Sequence, residues 1–545
     1  MGRKLSQRRH SGTLHNKKAQ GVAAYSGIMV LYMLATVVTK VLGFGREIII
    51  TARFGYGTIS DGYILGFSVP DLVYSLLVGG AVTAAVTPIL AAAIERNEEK
   101  KVWHSVSTFY TLILLVSFVL LTLGLIFSGR IITAVNPNKD PEVLHVASGV
   151  SKIIFLQTFF FILIAIINSV LSAYKIFGLP VFGDSIYNLI CLLGIALLGA
   201  PTREGAMRAA WGVVFAALCY CLYMGHFAKP YLHNFRPNLD LRNPLFKRIL
   251  LLAVPPVVAG TVNQLTLITK QGFADQFTGA VTSLRNATTL YNLPYQIIIA
   301  SVGPLLLPNL SGFLARGADR EASDFYSKAI KTVIFMMIPC VILFGLSAPE
   351  TVQAVYQWNP AKYSNENVLA TASLLRIFSV NMILQSLIYF INQVFFARQR
   401  SWITLLTGVL TLVLNPLFCR LYIDVFHLGL QSLTLATCSY NLIILLVSRL
   451  LMKRFASEIK VEGLGAFLIK ALVSGFFTFS LLLLLREVMP YSASKALQLL
   501  QYLIYGLVTL GAYFPAAADL HMQEASAVLR MLSDFFGKLR IRRKA

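Results

Sequence analysis

The stretch "KVLGFGREIIITARFGYGTISDGYILGFSVPDLVYSLL", Lys40 to Leu77, sets Lys40, Arg46, Glu47, Arg53, Asp61 and Asp71 among long apolar runs. A charge inside a membrane-spanning helix is unfavourable by about 2.5–3.5 kcal/mol on insertion scales, so such residues usually face a cavity or one another. Lysine and arginine are the usual partners of phosphate, and arginine takes two oxygens at once through its planar fork. Lys270 and Arg285 supply two more cations farther along. Lys40, Arg46, Lys270 and Arg285 are therefore expected to line a cationic, substrate-binding cavity. Asp61 is expected at its outer mouth, forming a gate with Arg46, Lys270 and Arg285 that is paired while the cavity faces the cytoplasm and parted when it faces out. Lys40 lies deep in the first apolar segment, whereas Arg46 and Lys270 lie toward segment ends, from which long side chains also reach water.

Such residues must be held by helices that cross a membrane. The 545-residue chain is 56% hydrophobic and 13% charged, with a mean hydropathy of +0.69. Soluble domains carry roughly a quarter of their residues as charges. Apolar runs of about 20 residues, enough to cross a hydrocarbon core of about 30 Å, recur about fourteen times. They lie near 22–50, 62–93, 105–128, 150–174, 180–200, 207–227, 248–275, 281–312, 328–348, 366–397, 402–422, 427–452, 464–485 and 496–519. The fold class is all-α integral membrane. With the N-terminus inside, the strongly basic segments, from "MGRKLSQRRHSGTLHNKK" to "GKLRIRRKA", all fall on the cytoplasmic side, as the positive-inside rule requires. Both termini are thus expected in the cytoplasm, and the formal charge of +23 is a topology signal with no nucleic-acid partner implied. The first apolar run is too long for a cleaved signal peptide. Val528, Leu532, Phe535 and Leu539 share one face of a basic C-terminal tail, the pattern of an interfacial helix.

An offset of 224 residues superimposes Arg46 on Lys270, Gly55 on Gly279, Asp61 on Arg285, Pro70 on Pro294 and Asn168 on Asn392, and "INSVLSA" answers "INQVFFA". Spans one to six and seven to twelve then form a duplicated pair in one orientation, with two further spans added. The expected organisation is a basic tail (1–21), an N-lobe (22–227), a cytoplasmic linker (228–247), a C-lobe (248–452), spans thirteen and fourteen (464–519) and a basic amphipathic tail (520–545). Duplicated bundles meeting at a central cleft are a transporter architecture with alternating access. The six cysteines and eight histidines show no metal-ligand spacing, and no P-loop, nucleophile elbow or dinucleotide fingerprint occurs. No enzyme activity, metal or cofactor is expected; a coupling ion or the membrane potential is left open as the energy source.

The segment "KVLGFGREIIITARFGYGTISDGYILGFSVPDLVYSLLVGGAVTAAVTPIL" resembles the N-terminal signature of the MurJ (MviN) family of lipid II flippases in the MOP superfamily, and "VLSAYKIFGLPVFGDSIYNLI" and "LYNLPYQIIIASVGPLLLPNLS" are similar to its later segments. The resemblance implies fourteen helices in a bacterial plasma membrane. It also implies transfer of a polyprenyl diphosphate-linked disaccharide peptide from inner to outer leaflet for peptidoglycan synthesis. Arg46 and Asp61 match the family's cavity pattern, and Lys40 stands where arginine is usual. Tyr74, Thr289 and Asn292 depart from it, standing where arginine, arginine and glutamate are usual. Another polyprenyl diphosphate-linked glycan, a teichoic-acid or capsule precursor, is the alternative substrate. A MATE-like exporter of small cations is a second alternative, against which the excess of cations speaks. The expected partners are the lipid-linked glycan, the phospholipid membrane and the cell-wall synthesis machinery, with the chain a monomer.

Overall fold

The computed structural model describes residues 35–78, 81–176, 178–489 and 494–526. The basic N-terminal tail, the start of the first span and the amphipathic face from Val528 onward lie outside the described residues.

The described chain is helical: α1 (35–54), α2 (Thr58–Leu65), α3 (Ser68–Leu77), α4 (Ala81–Glu95), α5 (Glu99–Val135), α6 (Pro141–Ala173), α7 (Gly178–Leu198), α8 (Arg203–Ala228), α9 (Pro244–Phe273) and α10 (Ala280–Ala315). There follow α11 (Asp319–Leu346), α12 (Ala348–Tyr356), α13 (Asn365–Ala397), α14 (Ser401–Arg420), α15 (Ser432–Phe455), α16 (Leu464–Val488) and α17 (Lys495–Asp519). Twelve helical segments among the described residues are long and apolar enough to cross a membrane. With α1 and the 36-residue α10 they account for the fourteen expected spans.

Two six-span lobes are related by the internal repeat. Helices α6 and α13 are both 33 residues long and lie 224 positions apart. Each is capped at the matching position: the Asp140 side chain accepts from Glu142 N, and that of Ser364 from Asn367 N, which satisfies amides that a helix start leaves without partners. The left-handed residues Gly55 and Gly279, and again Lys175 and Gln399, are separated by the same offset. In the N-lobe α6 packs on α4, α5 and α8, and α8 on α7; in the C-lobe α13 packs on α10, α11 and α15, and α14 on α15. The added pair, α16 and α17, packs on α11 and α12. One end of this contact is fixed by Arg486, whose Nε donates to Glu350 Oε1 at 2.9 Å, and by Lys495, whose Nζ donates to Gln353 O at 2.6 Å.

The second span is not one continuous helix over 62–93. Pro70 has no N–H for the carbonyl of Gly66, and the chain turns there, with Phe67 N donating to Ile64 O at 3.2 Å and Asp71 N to Phe67 O at 2.9 Å. Ahead of the break, Gly62 and Gly66 lie against α6. A Cβ on Gly66 would sit 2.6 Å from Val150 Cγ1, and one on Gly62 2.7 Å from Val146 Cβ. Only the absence of side chains lets α2 approach α6 this closely. That approach seats Asp61 at the junction of the lobes.

Candidate substrate cavity

α1 and α10 face each other across the lobe boundary, and between them lies a cavity of about 510 Å³. Lys40 and Arg46 reach it from α1, Arg285, Thr289, Asn292 and Gln296 from α10, and Asp184 and Asn188 from α7. Residues 39, 40, 43, 46 and 47 of α1 and 285, 288, 289, 292 and 296 of α10 recur at the three- and four-residue spacing of one helix face. The cations come from both lobes.

Glu47 joins two of them. Arg285 Nε donates to Glu47 Oε2 at 2.7 Å and Arg285 Nη2 to Oε1 at 3.0 Å, while Arg46 Nη2 donates to Oε1 at 2.9 Å. One carboxylate thus holds two guanidiniums and ties α1 to α10. The bonds are charge-assisted, and the Arg285 pair is bidentate, the strongest form of side-chain hydrogen bonding. Lys40 Nζ donates to Gln296 Oε1 at 3.0 Å, again across the lobes.

Beyond the triad the lobes are fastened together where α1 ends and α2 begins. Asp61, 1% exposed, accepts from Thr282 N at 2.9 Å and from Thr282 Oγ1 at 2.5 Å, and Lys139 Nζ stands 3.6 Å from its Oδ2. Tyr56 N donates to Lys362 O at 3.0 Å, and the Tyr56 and Tyr363 rings meet edge to face at 5.6 Å. Thr51 Oγ1 donates to Asn286 Oδ1 at 3.0 Å. The cavity is shut at this end by buried polar groups that hydrogen-bond across the lobes.

The structure brings together Lys40, Arg46 and Arg285, but not in the expected pairing. Arg46 and Arg285 bind Glu47, and the partners of Asp61 are Thr282 and Lys139. The reason is depth along α1 and α10: Arg285 lies about one helical turn beyond Thr282, level with Glu47. Lys270 does not line the cavity. Leu267 and Gln271 take the cavity face of α9. Lys270, 9% exposed, lies inside the C-lobe with its ammonium 5.9 Å from the ring centres of Phe378 and Tyr440. Tyr74 also lies away from the cavity, its ring 6.1 Å from that of Phe161. Sequence reasoning missed Glu47 and Asp184 as cavity residues; the signal for Glu47 was its place beside Arg46 in an apolar run.

Residues 50–502 match the family model described as lipid II flippase MurJ. The chain belongs to the MurJ family. It is 26% identical over 377 residues to a probable lipid II flippase MurJ of Rhizobium tropici, covering 67% of this chain and 69% of that one. With the probable lipid II flippase MurJ of Bdellovibrio bacteriovorus it shares 22% over 509 residues, 91% of this chain and 94% of that one. A solved structure of lipid II flippase MurJ in an inward closed conformation superimposes with a TM-score of 0.73 at 20% identity, covering 90% of this chain and all of that one. An inward-facing MATE family multidrug transporter gives 0.64 at 14% identity, over 78% and 96% of the two chains. The fold is that of the MOP superfamily, and as a MurJ-family member the chain is a multi-pass protein of the bacterial inner membrane.

Proposed function

We propose that this protein flips a polyprenyl diphosphate-linked saccharide peptide, lipid II, from the inner to the outer leaflet by alternating access. The observation that carries this reading is the cavity itself, which draws Lys40 and Arg46 from one lobe and Arg285 from the other. A diphosphate is the ligand class that such a set suits. The lipid's head group enters from the cytoplasmic side while its tail stays in the bilayer. The diphosphate then competes with Glu47 for the two guanidiniums, loosening the tie between α1 and α10. The end fastened by Asp61, Thr282 and Lys139 is the outer gate, which follows from the basic segments marking the cytoplasmic side. In this assignment both termini are cytoplasmic, the lobes are residues 22–227 and 248–452, and Lys270 supports the C-lobe without touching substrate. The protein acts as a monomer that hands its lipid to cell-wall synthesis enzymes.

A different lipid-linked glycan is the second reading. It is favoured by Thr289 and Asn292, which line the cavity as neutral residues where the family resemblance implies a charged pair. The MATE-like reading fits the fold but not the cations. Replacing a bacterium's own lipid II flippase with this chain is the test. Growth is expected; lysis despite normal membrane levels of the protein favours the second reading.

A further inference from the structure

The cavity is not uniformly cationic. Asp184 exposes its side chain to it and makes no ion pair among the described residues. Lys40, the cation that shares this part of the cavity, attracts Asp184 without pairing with it and donates a hydrogen bond to Gln296 Oε1. The Tyr220 hydroxyl, which donates to Pro180 O at 3.2 Å, is also close enough to Asp184 to interact with its carboxylate. Asn188, one turn along α7, also lines the cavity. Its Nδ2 donates to the backbone carbonyl of Asp184 at 2.9 Å, so its Oδ1 is the atom left to accept. Two oxygen acceptors, one of them charged, thus stand one helical turn apart on one face of α7. Lys40 and the Tyr220 hydroxyl act on Asp184 from nearby, but a carboxylate kept in a membrane cavity without an ion pair at contact distance is still costly. It is expected where a ligand supplies the opposite charge.

We propose that Asp184 and Asn188 form an ammonium subsite for a primary amine on the head group. The transported lipid then carries a free amine on its peptide as well as its diphosphate. The inference rests on the diphosphate reading above and narrows it, because glycans with no amine have nothing to offer Asp184. Cations in the α1 and α10 walls hold the diphosphate, and the α7 wall holds the ammonium. The head group is oriented by opposite charges at its two ends.

The test uses the purified full-length protein and two probes: a polyprenyl diphosphate disaccharide peptide with a free lysine amine, and the same lipid with that amine acetylated. Wild type is expected to bind the free-amine lipid about tenfold more tightly, the equivalent of about 1.4 kcal/mol. Asp184→Asn should remove this preference by weakening the free-amine lipid alone, and Asn188→Leu should reduce it. Unchanged binding of the acetylated lipid shows that each variant is folded. Equal binding of the two lipids by wild type, or equal weakening of both in Asp184→Asn, overturns the ammonium subsite. Arg285→Gln separates the two readings, since it should weaken both lipids alike. If it weakens neither, the diphosphate reading fails whatever Asp184 does.

Discussion

Arg285 links the two lobes at the cavity, because it lines the cavity and binds the same carboxylate as Arg46. Hydrogen bonds to charged groups contribute about 1.5–3 kcal/mol, so Arg285→Gln should reduce affinity for a diphosphate lipid by roughly that much. Lys270→Met should leave affinity unchanged in the same equilibrium binding assay, because its ammonium lies between aromatic rings inside the C-lobe. Comparable losses from both changes would contradict this placement. Glu47→Gln should act in the opposite direction. It frees two guanidiniums, so lipid binding tightens while flipping in vesicles slows, and weaker binding would show that Glu47 is not the diphosphate's competitor. The cationic character of α1 and α10 was legible because buried charge is rare in spans. The partner of each charge was not, since pairing depends on which helix faces which and at what depth. The repeat placed Lys270 opposite Arg46 in sequence, but helix rotation carried it away from the cavity.

At the scale of the helices, the second span shows what apolar periodicity leaves out. Its length was legible; its division at Gly66 and Phe67 follows from Pro70, and its course follows from the contact of Gly62 and Gly66 with α6. Overpacking such a contact is unfavourable by about 1–3 kcal/mol, so Gly66→Leu should lower the unfolding temperature in detergent. Gly225→Ala, in α8 with open space around its Cα, should leave it unchanged or raise it slightly, since alanine favours helix over glycine by about 1 kcal/mol. The pair of variants distinguishes a packing requirement from a general intolerance of side chains. The 224-residue repeat was the most legible element-scale feature. A covalent offset survives duplication, and the matching caps at Asp140 and Ser364 preserve both helix starts. Glu350 and Arg486, which fasten α16 to the C-lobe, carried no comparable signal, because residues 136 positions apart meet only through the fold.

The whole molecule is two lobes held shut at one end with a largely cationic cavity between, and the proposed mechanism requires that end to open. Asp61→Asn removes the charge that Lys139 faces and weakens the fastening. A single cysteine in the cavity should then react faster with an impermeant thiol reagent added from outside the cell; unchanged or slower labelling would contradict the gate. The central claim is that the lobes must part where Tyr56 meets Lys362, and a reversible cross-link tests it most directly. In a variant lacking the six native cysteines, Tyr56→Cys and Lys362→Cys are joined by a short thiol-cleavable linker, and lipid flipping is measured in proteoliposomes before and after reduction. The account predicts that flipping stops in the cross-linked protein and returns on reduction, while lipid binding from the cytoplasmic side persists throughout. Undiminished flipping with the cross-link intact would contradict it.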